Sequence, residues 1–107
     1  MSDAGTPVAL LNALTELFPA FASKWNDEQP ETLHQVVQRL APLITGYLEG
    51  ASEKTVRRFC ELVNSMVAAG GQPANAIATC LLEHASQVRV KGIIRPHLSP
   101  EARRELR

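Results

Sequence analysis

Leu33, Val36, Val37, Leu40, Leu43, Ile44, Tyr47 and Leu48 recur at steps of three and four, so they share one side of a helix that begins near Glu31. Pro42 falls on the opposite side of this stripe. A proline facing solvent removes one backbone bond without emptying the core, and the pattern therefore predicts a long helix that bends at Pro42 instead of ending there. Gly50 is expected to close it in a left-handed conformation.

The same spacing organises the rest of the chain. Thr6 followed by Pro7 is a helix start, a side-chain cap and then a proline whose missing N–H costs nothing. Leu11, Leu14, Leu17, Phe18, Phe21 and Trp25 follow, with a break expected at Pro19 and a short second helix running to about Lys24. Residues 26–30 read as a polar linker. Ser52 caps a helix with the stripe Val56, Phe59, Cys60, Val63, Met66 and Val67, and Gly70–Gly71 stops it. Pro73 is expected to open the next helix, whose apolar face is Ile77, Cys80, Leu81, His84, Ala85 and Val88. Leu82 points the other way, so that helix is either covered on two sides or exposes an apolar spot. Residues 89–95 mix basic and β-branched residues and are read as a helix end and a connection. Ser99–Pro100 repeats the cap-then-proline start, ahead of a last short helix over 101–106.

These elements predict an all-α protein: a compact bundle, or stacked helical hairpins, of five to six helices with a kinked second long helix. Residues 1–5 are expected to be a loose N-terminus and residues 6–107 a single helical domain. No strand alternation lasts more than a few residues, and no repeat recurs at periods of twenty to fifty.

At 107 residues with 45% hydrophobic and 21% charged side chains, the chain can bury one core and is too apolar for disorder. The first twenty residues lack the basic stretch of a secretion signal, and no apolar run is long enough to span a bilayer. A cytoplasmic protein with Cys60 and Cys80 reduced is the expectation. The net charge of zero hides an asymmetry. Residues 1–50 carry two basic side chains against six acidic ones, and residues 89–107 carry six basic against two acidic. A basic end suits an acidic partner, a second copy of the chain, or the chain's own acidic half. Nucleic acid is disfavoured, because the basic run has no aromatic side chains for stacking.

Among chemistry-bearing residues, Cys80, Glu83 and His84 stand closest together. Cys80 and His84 are four apart and share a helix face, which is the geometry of two metal ligands, with Cys60 a possible third from the preceding helix. The paired Cys-x-x-Cys or His-x-x-x-His signature of zinc sites is missing, and buried cysteine is commonplace in cores. No metal or cofactor is therefore expected. His84 interrupts an apolar stripe and reads either as a core histidine bonded to a carbonyl or carboxylate, or as a partner-facing side chain. Glu83 is expected to form a structural ion pair. His34 and His97 are read as solvated, Lys54, Arg57 and Arg58 as an exposed charged face, and Asn75 as a first-turn residue serving the backbone. With no phosphate-cradling loop and no nucleophile elbow, the chain is read as a non-enzyme. Glu83, His84, Cys80, Arg95 and His97 are kept as a candidate partner-binding or structural polar site.

The run Asn75-Ala76-Ile77-Ala78-Thr79-Cys80-Leu81-Leu82-Glu83-His84-Ala85 resembles the Asn-Ala…Phe-Leu-Glu-His-Leu signature of an uncharacterised family of small bacterial all-helical domains. Leu82-Glu83-His84 is the tight match, and Leu81 and Ala85 replace bulkier residues. The break at Phe18-Pro19 and the segment Arg95-Pro96-His97-Leu98-Ser99 fit the same layout, over roughly residues 10–106. Some members of such families sit beside polymorphic toxins and are regarded as immunity-like. The resemblance thus implies a helical fold and a stoichiometric binder that blocks a toxin. Three functions stay open: a protein-interaction domain, a homodimeric structural protein using Leu82 as an apolar contact, and a small metal-binding protein using Cys80 and His84.

Overall fold

The structure is a computed structural model that describes residues 5–82 and 88–106. Helix starts follow the side-chain caps. The Ala9 amide donates to Thr6 Oγ1 at 3.2 Å, and α1 runs over Pro7–Leu17 behind that cap. Phe18 leaves the helical region because the Pro19 ring disfavours α geometry in the residue before it. The chain then tightens into a 3₁₀ turn, Pro19–Lys24, which buries Phe21. Asn26 and Asp27 take left-handed φ values of 45° and 66°. Asn and Asp tolerate that region better than other residues with a Cβ, so the polar linker reverses the chain there.

Helix α2 spans Leu33–Leu40. The Gln35 amide donates to Thr32 Oγ1, while Gln35 Oε1 accepts from the Glu31 amide, a reciprocal cap. A 3₁₀ turn over Ala41–Leu43 joins it to α3, Ile44–Glu49, with Pro42 exposed. The long helix therefore bends at Pro42 as its pattern predicts. Gly50 does not adopt the expected left-handed cap. Its φ is −92°, and the Ala51 amide closes the turn onto the Leu48 carbonyl without needing a positive φ.

Helix α4, Glu53–Ala69, is capped by Ser52. It ends where Gly70 and Gly71 take φ values of 68° and 56°. That pair turns the chain straight into α5, Gly71–Ile77, so the helix starts two residues before Pro73. The Thr79 hydroxyl donates to the Asn75 carbonyl at 2.7 Å, a back-bond of the kind that bends helices. Over Ala78–Leu82 the helix widens into a π-turn.

Residues read as a connection are helical: α6 covers Val88–Ile94 and passes into a 3₁₀ turn, Arg95–His97. Val90, Ile94 and Leu98 recur every fourth position and are all buried. Burying that stripe outweighs the weak helix propensity of β-branched residues. Ser99 caps α7, Pro100–Glu105, through the Ala102 amide. Seven α-helical segments thus stand among the described residues, against five to six expected. The difference comes from the bend, which separates α2 from α3, and from α6. Residues 1–4, at the expected loose N-terminus, lie outside the described residues.

All seven helices contribute to one core. Helix α4 is its spine and packs against α1, α5, α6 and α7. Helix α2 packs against α1, α5 and the π-turn, and α3 lies on α6. Phe18 ties three elements together, stacking on Tyr47 at 5.3 Å and meeting Phe59 edge-on at 5.7 Å. Leu82 is wholly buried. Its helix is therefore covered on both sides, and Leu82 offers no apolar contact to a second copy.

Gly70 combines φ 68° with ψ −169°, a region essentially reserved for glycine, while space for a Cβ is open. Gly70→Ala is expected to lower stability by about 1–3 kcal/mol through backbone strain alone. Chemical denaturation checks this, and an unchanged midpoint would contradict it.

Candidate functional site

Two polar regions emerge from this fold. The first lies between α2 and the π-turn, where His34, Gln38, Ala41, Thr79 and Cys80 line an open cleft of about 380 Å³. Helical spacing puts His34, Gln38 and Ala41 on one flank of the bent helix, and the π-turn brings Thr79 and Cys80 opposite. Asn75 Nδ2 lies 3.4 Å from His34 Nε2, and the amide donates in the tautomer that leaves that ring nitrogen unprotonated. The Thr79 hydroxyl spends its proton on Asn75, so it accepts from the Cys80 thiol, 3.7 Å away.

His34 is thus half-buried against Asn75 and not simply solvated. Asn75 lies beyond the first turn of α5, and its side chain meets one from another helix instead of serving the backbone. The His34–Asn75 contact is not legible in sequence, because the two residues lie 41 positions apart.

Cys60 is engaged elsewhere. It is fully buried on α4, and its thiol meets the Ile94 carbonyl at 3.7 Å. Burial in apolar surroundings pushes its pKa from 9.0 up to about 12. A thiol so far from ionisation is a poor third ligand for Cys80 and His84. Among the described residues, no three His, Cys, Asp or Glu side chains stand close enough together to hold a metal ion. Glu83 and His84 lie outside the described residues.

The second region is the basic end formed by the Arg95–His97 turn and α7. Arg103 Nε donates to the Arg95 carbonyl at 3.2 Å, which brings the two arginines together. Arg95, Arg103 and Arg104 are all exposed. On the other flank of α7, Glu101, Arg104 and Glu105 edge a groove of about 450 Å³ floored by Val67, Ala74 and Ala78 of α4, α5 and the π-turn. His97 is half-buried and helps through its backbone. Asn64 Nδ2 donates to the His97 carbonyl at 3.1 Å, and Asn64 Oδ1 accepts from the Ser99 amide at 2.8 Å. This single amide holds the strand of backbone before α7 against α4. Of the sequence-predicted site residues, Cys80 therefore falls in the cleft, and Arg95 and His97 at the basic end.

Two polar side chains that the sequence reading passed over are structural clamps. Asn64 is one. Arg39 is the other: its guanidinium sits 4.1 Å from the Trp25 ring centroid, donates to the Lys24 carbonyl at 3.3 Å and pairs with Glu28. It pins the linker over the buried Trp25.

The architecture is that of a small all-α bundle with open polar clefts on its surface. The chain belongs to the family described as Domain of unknown function (DUF7674), whose model matches residues 11–107. No curated protein and no solved structure matches it.

The two thiols are expected to behave differently. In the native protein at pH 8, iodoacetamide should modify Cys80 and reach Cys60 only on unfolding; mass spectrometry showing the reverse order would contradict the cleft. Because the folded state holds the Cys60 proton more tightly than the unfolded chain, this thiol should cost no stability below pH 9 and should make stability decline from there toward pH 12. Cys60→Ala should flatten that decline; an equally steep fall in the variant would contradict it.

Proposed function

We propose that this chain is a non-enzymatic helical protein-interaction domain that engages its partner through the basic end at Arg95, Arg103 and Arg104. One observation carries this reading. These three guanidinium groups are exposed, and the ion pairs found among the described residues, Arg39–Glu28 and Arg57–Glu53, leave them unused. A self-neutralised surface would have paired them with the acidic half of the same chain. Exposed guanidinium groups that no ion pair occupies steer association with an oppositely charged partner.

The two thiols support the same reading. The Cys80 thiol donates into a hydroxyl and the Cys60 thiol into a carbonyl, both structural uses of sulfur. An immunity-like binder that blocks a toxin is the narrower form of this proposal, and it rests on the signature around Leu82-Glu83-His84. The cytoplasm is the compartment that fits, since Cys60 and Cys80 are both free and buried. No helix among the described residues is long and apolar enough to cross a membrane.

The test is capture from an extract of the native host on the immobilised chain, at low and high salt, followed by size-exclusion chromatography with light scattering. A defined complex that weakens with salt is the expected result. A chain that stays monomeric and captures nothing at either salt would contradict the proposal, and self-association would make a second copy the partner.

A further inference from the structure

Arg103 is the residue at the basic end whose orientation is set by the fold. Its Nε–H is committed to the Arg95 carbonyl, and that carbonyl belongs to the 3₁₀ turn that Asn64 anchors to the spine helix through the His97 carbonyl. With Nε used, both Nη groups remain as an end-on fork, and no hydrogen bond or ion pair occupies them among the described residues. An end-on guanidinium fork matches the two oxygens of one carboxylate. Because a backbone bond already holds the side chain, less rotamer freedom is lost when a ligand binds. The exposed Arg95 and Arg104 add positive charge nearby.

We infer that Arg103 anchors a docking surface for a carboxylate-rich polypeptide segment of the partner, with Arg95 and Arg104 as flanking charges. This names the partner's chemistry and rests on the protein-binding reading above. Two features favour a polypeptide over nucleic acid. Phe18, Phe21, Trp25 and Phe59 are buried in the core and Tyr47 is stacked on Phe18, so every aromatic ring of the sequence is committed to packing and none is free to stack on a base. Glu101 and Glu105 interrupt the positive charge along α7, which opposes a continuous phosphate backbone but leaves room for discrete carboxylates.

The test uses the full chain and fluorescence anisotropy with three labelled probes: a ten-residue Asp/Glu-rich peptide, a Lys-rich peptide of equal length, and single-stranded DNA. The acidic peptide should bind best at low salt. Arg103→Gln should weaken it about tenfold, and Arg103→Lys should restore only part of the loss, since an ammonium restores charge without the fork. Arg57→Gln, on the exposed face of α4, should bind as the native chain does. DNA binding as tight as the peptide's, or equal affinities for Arg103→Gln and Arg57→Gln, would overturn the inference. The two readings fail separately: host-extract capture that survives Arg103→Gln would overturn this surface and leave protein binding standing, whereas a native chain that captures nothing and stays monomeric would overturn protein binding itself.

Discussion

The structure depends on the exclusion of water from around α4. Val56, Phe59, Cys60, Leu62, Val63 and Met66 are buried along one helix, and four other helices supply the surfaces that bury them. A single apolar stripe would satisfy one neighbour. Leu62 widens this one, so the helix is covered from several directions and its neighbours are brought together by a shared need to remove the same surface from water. The consequence is topological: α1 from one end of the chain and α6 and α7 from the other all come to lie against the same helix. The basic end exists because α7 has to bury Ala102 against the spine, which leaves Arg103 and Arg104 facing outward.

Polar side chains sort into two kinds against this core. Arg39 and Asn64 reach irregular backbone across long sequence distances and hold the linker after Trp25 and the segment before α7. Their hydrogen-bonding capacity is used within the fold. Arg95, Arg103 and Arg104 are used differently: one backbone bond orients Arg103, and the charges remain available. The same helix–turn–helix geometry at the C-terminal end thus supplies both an anchor and a display surface.

Much of the fold was legible in the sequence because local physics dictates it. Thr6–Pro7, Ser52 and Ser99–Pro100 each cap a helix through their own side chain, and the stripe through Pro42 gave the bend correctly. Burial overrides local preference elsewhere. The β-branched residues of 89–95 suggested a connection, yet Val90, Ile94 and Leu98 form a buried stripe whose period was visible and outvoted by propensity. Gly50 has the composition of a left-handed cap, but among the described glycines positive φ is confined to Gly70 and Gly71, which join α4 directly to α5. The candidate site was legible only in part. Cys80 and Arg95 were singled out, whereas their neighbours His34 and Arg103 come from other elements, and nothing local encodes such pairings.

Native-state hydrogen exchange tests the central role of α4 most directly. If the spine is buried by its neighbours together, the amides of Cys60, Val63 and Met66 should exchange only through global unfolding, more slowly than any amide of α1 or α7, because release of either of those helices leaves the spine covered by its remaining neighbours. Exchange of those three amides at the rate of the terminal helices would show that α4 opens locally, and would contradict the account.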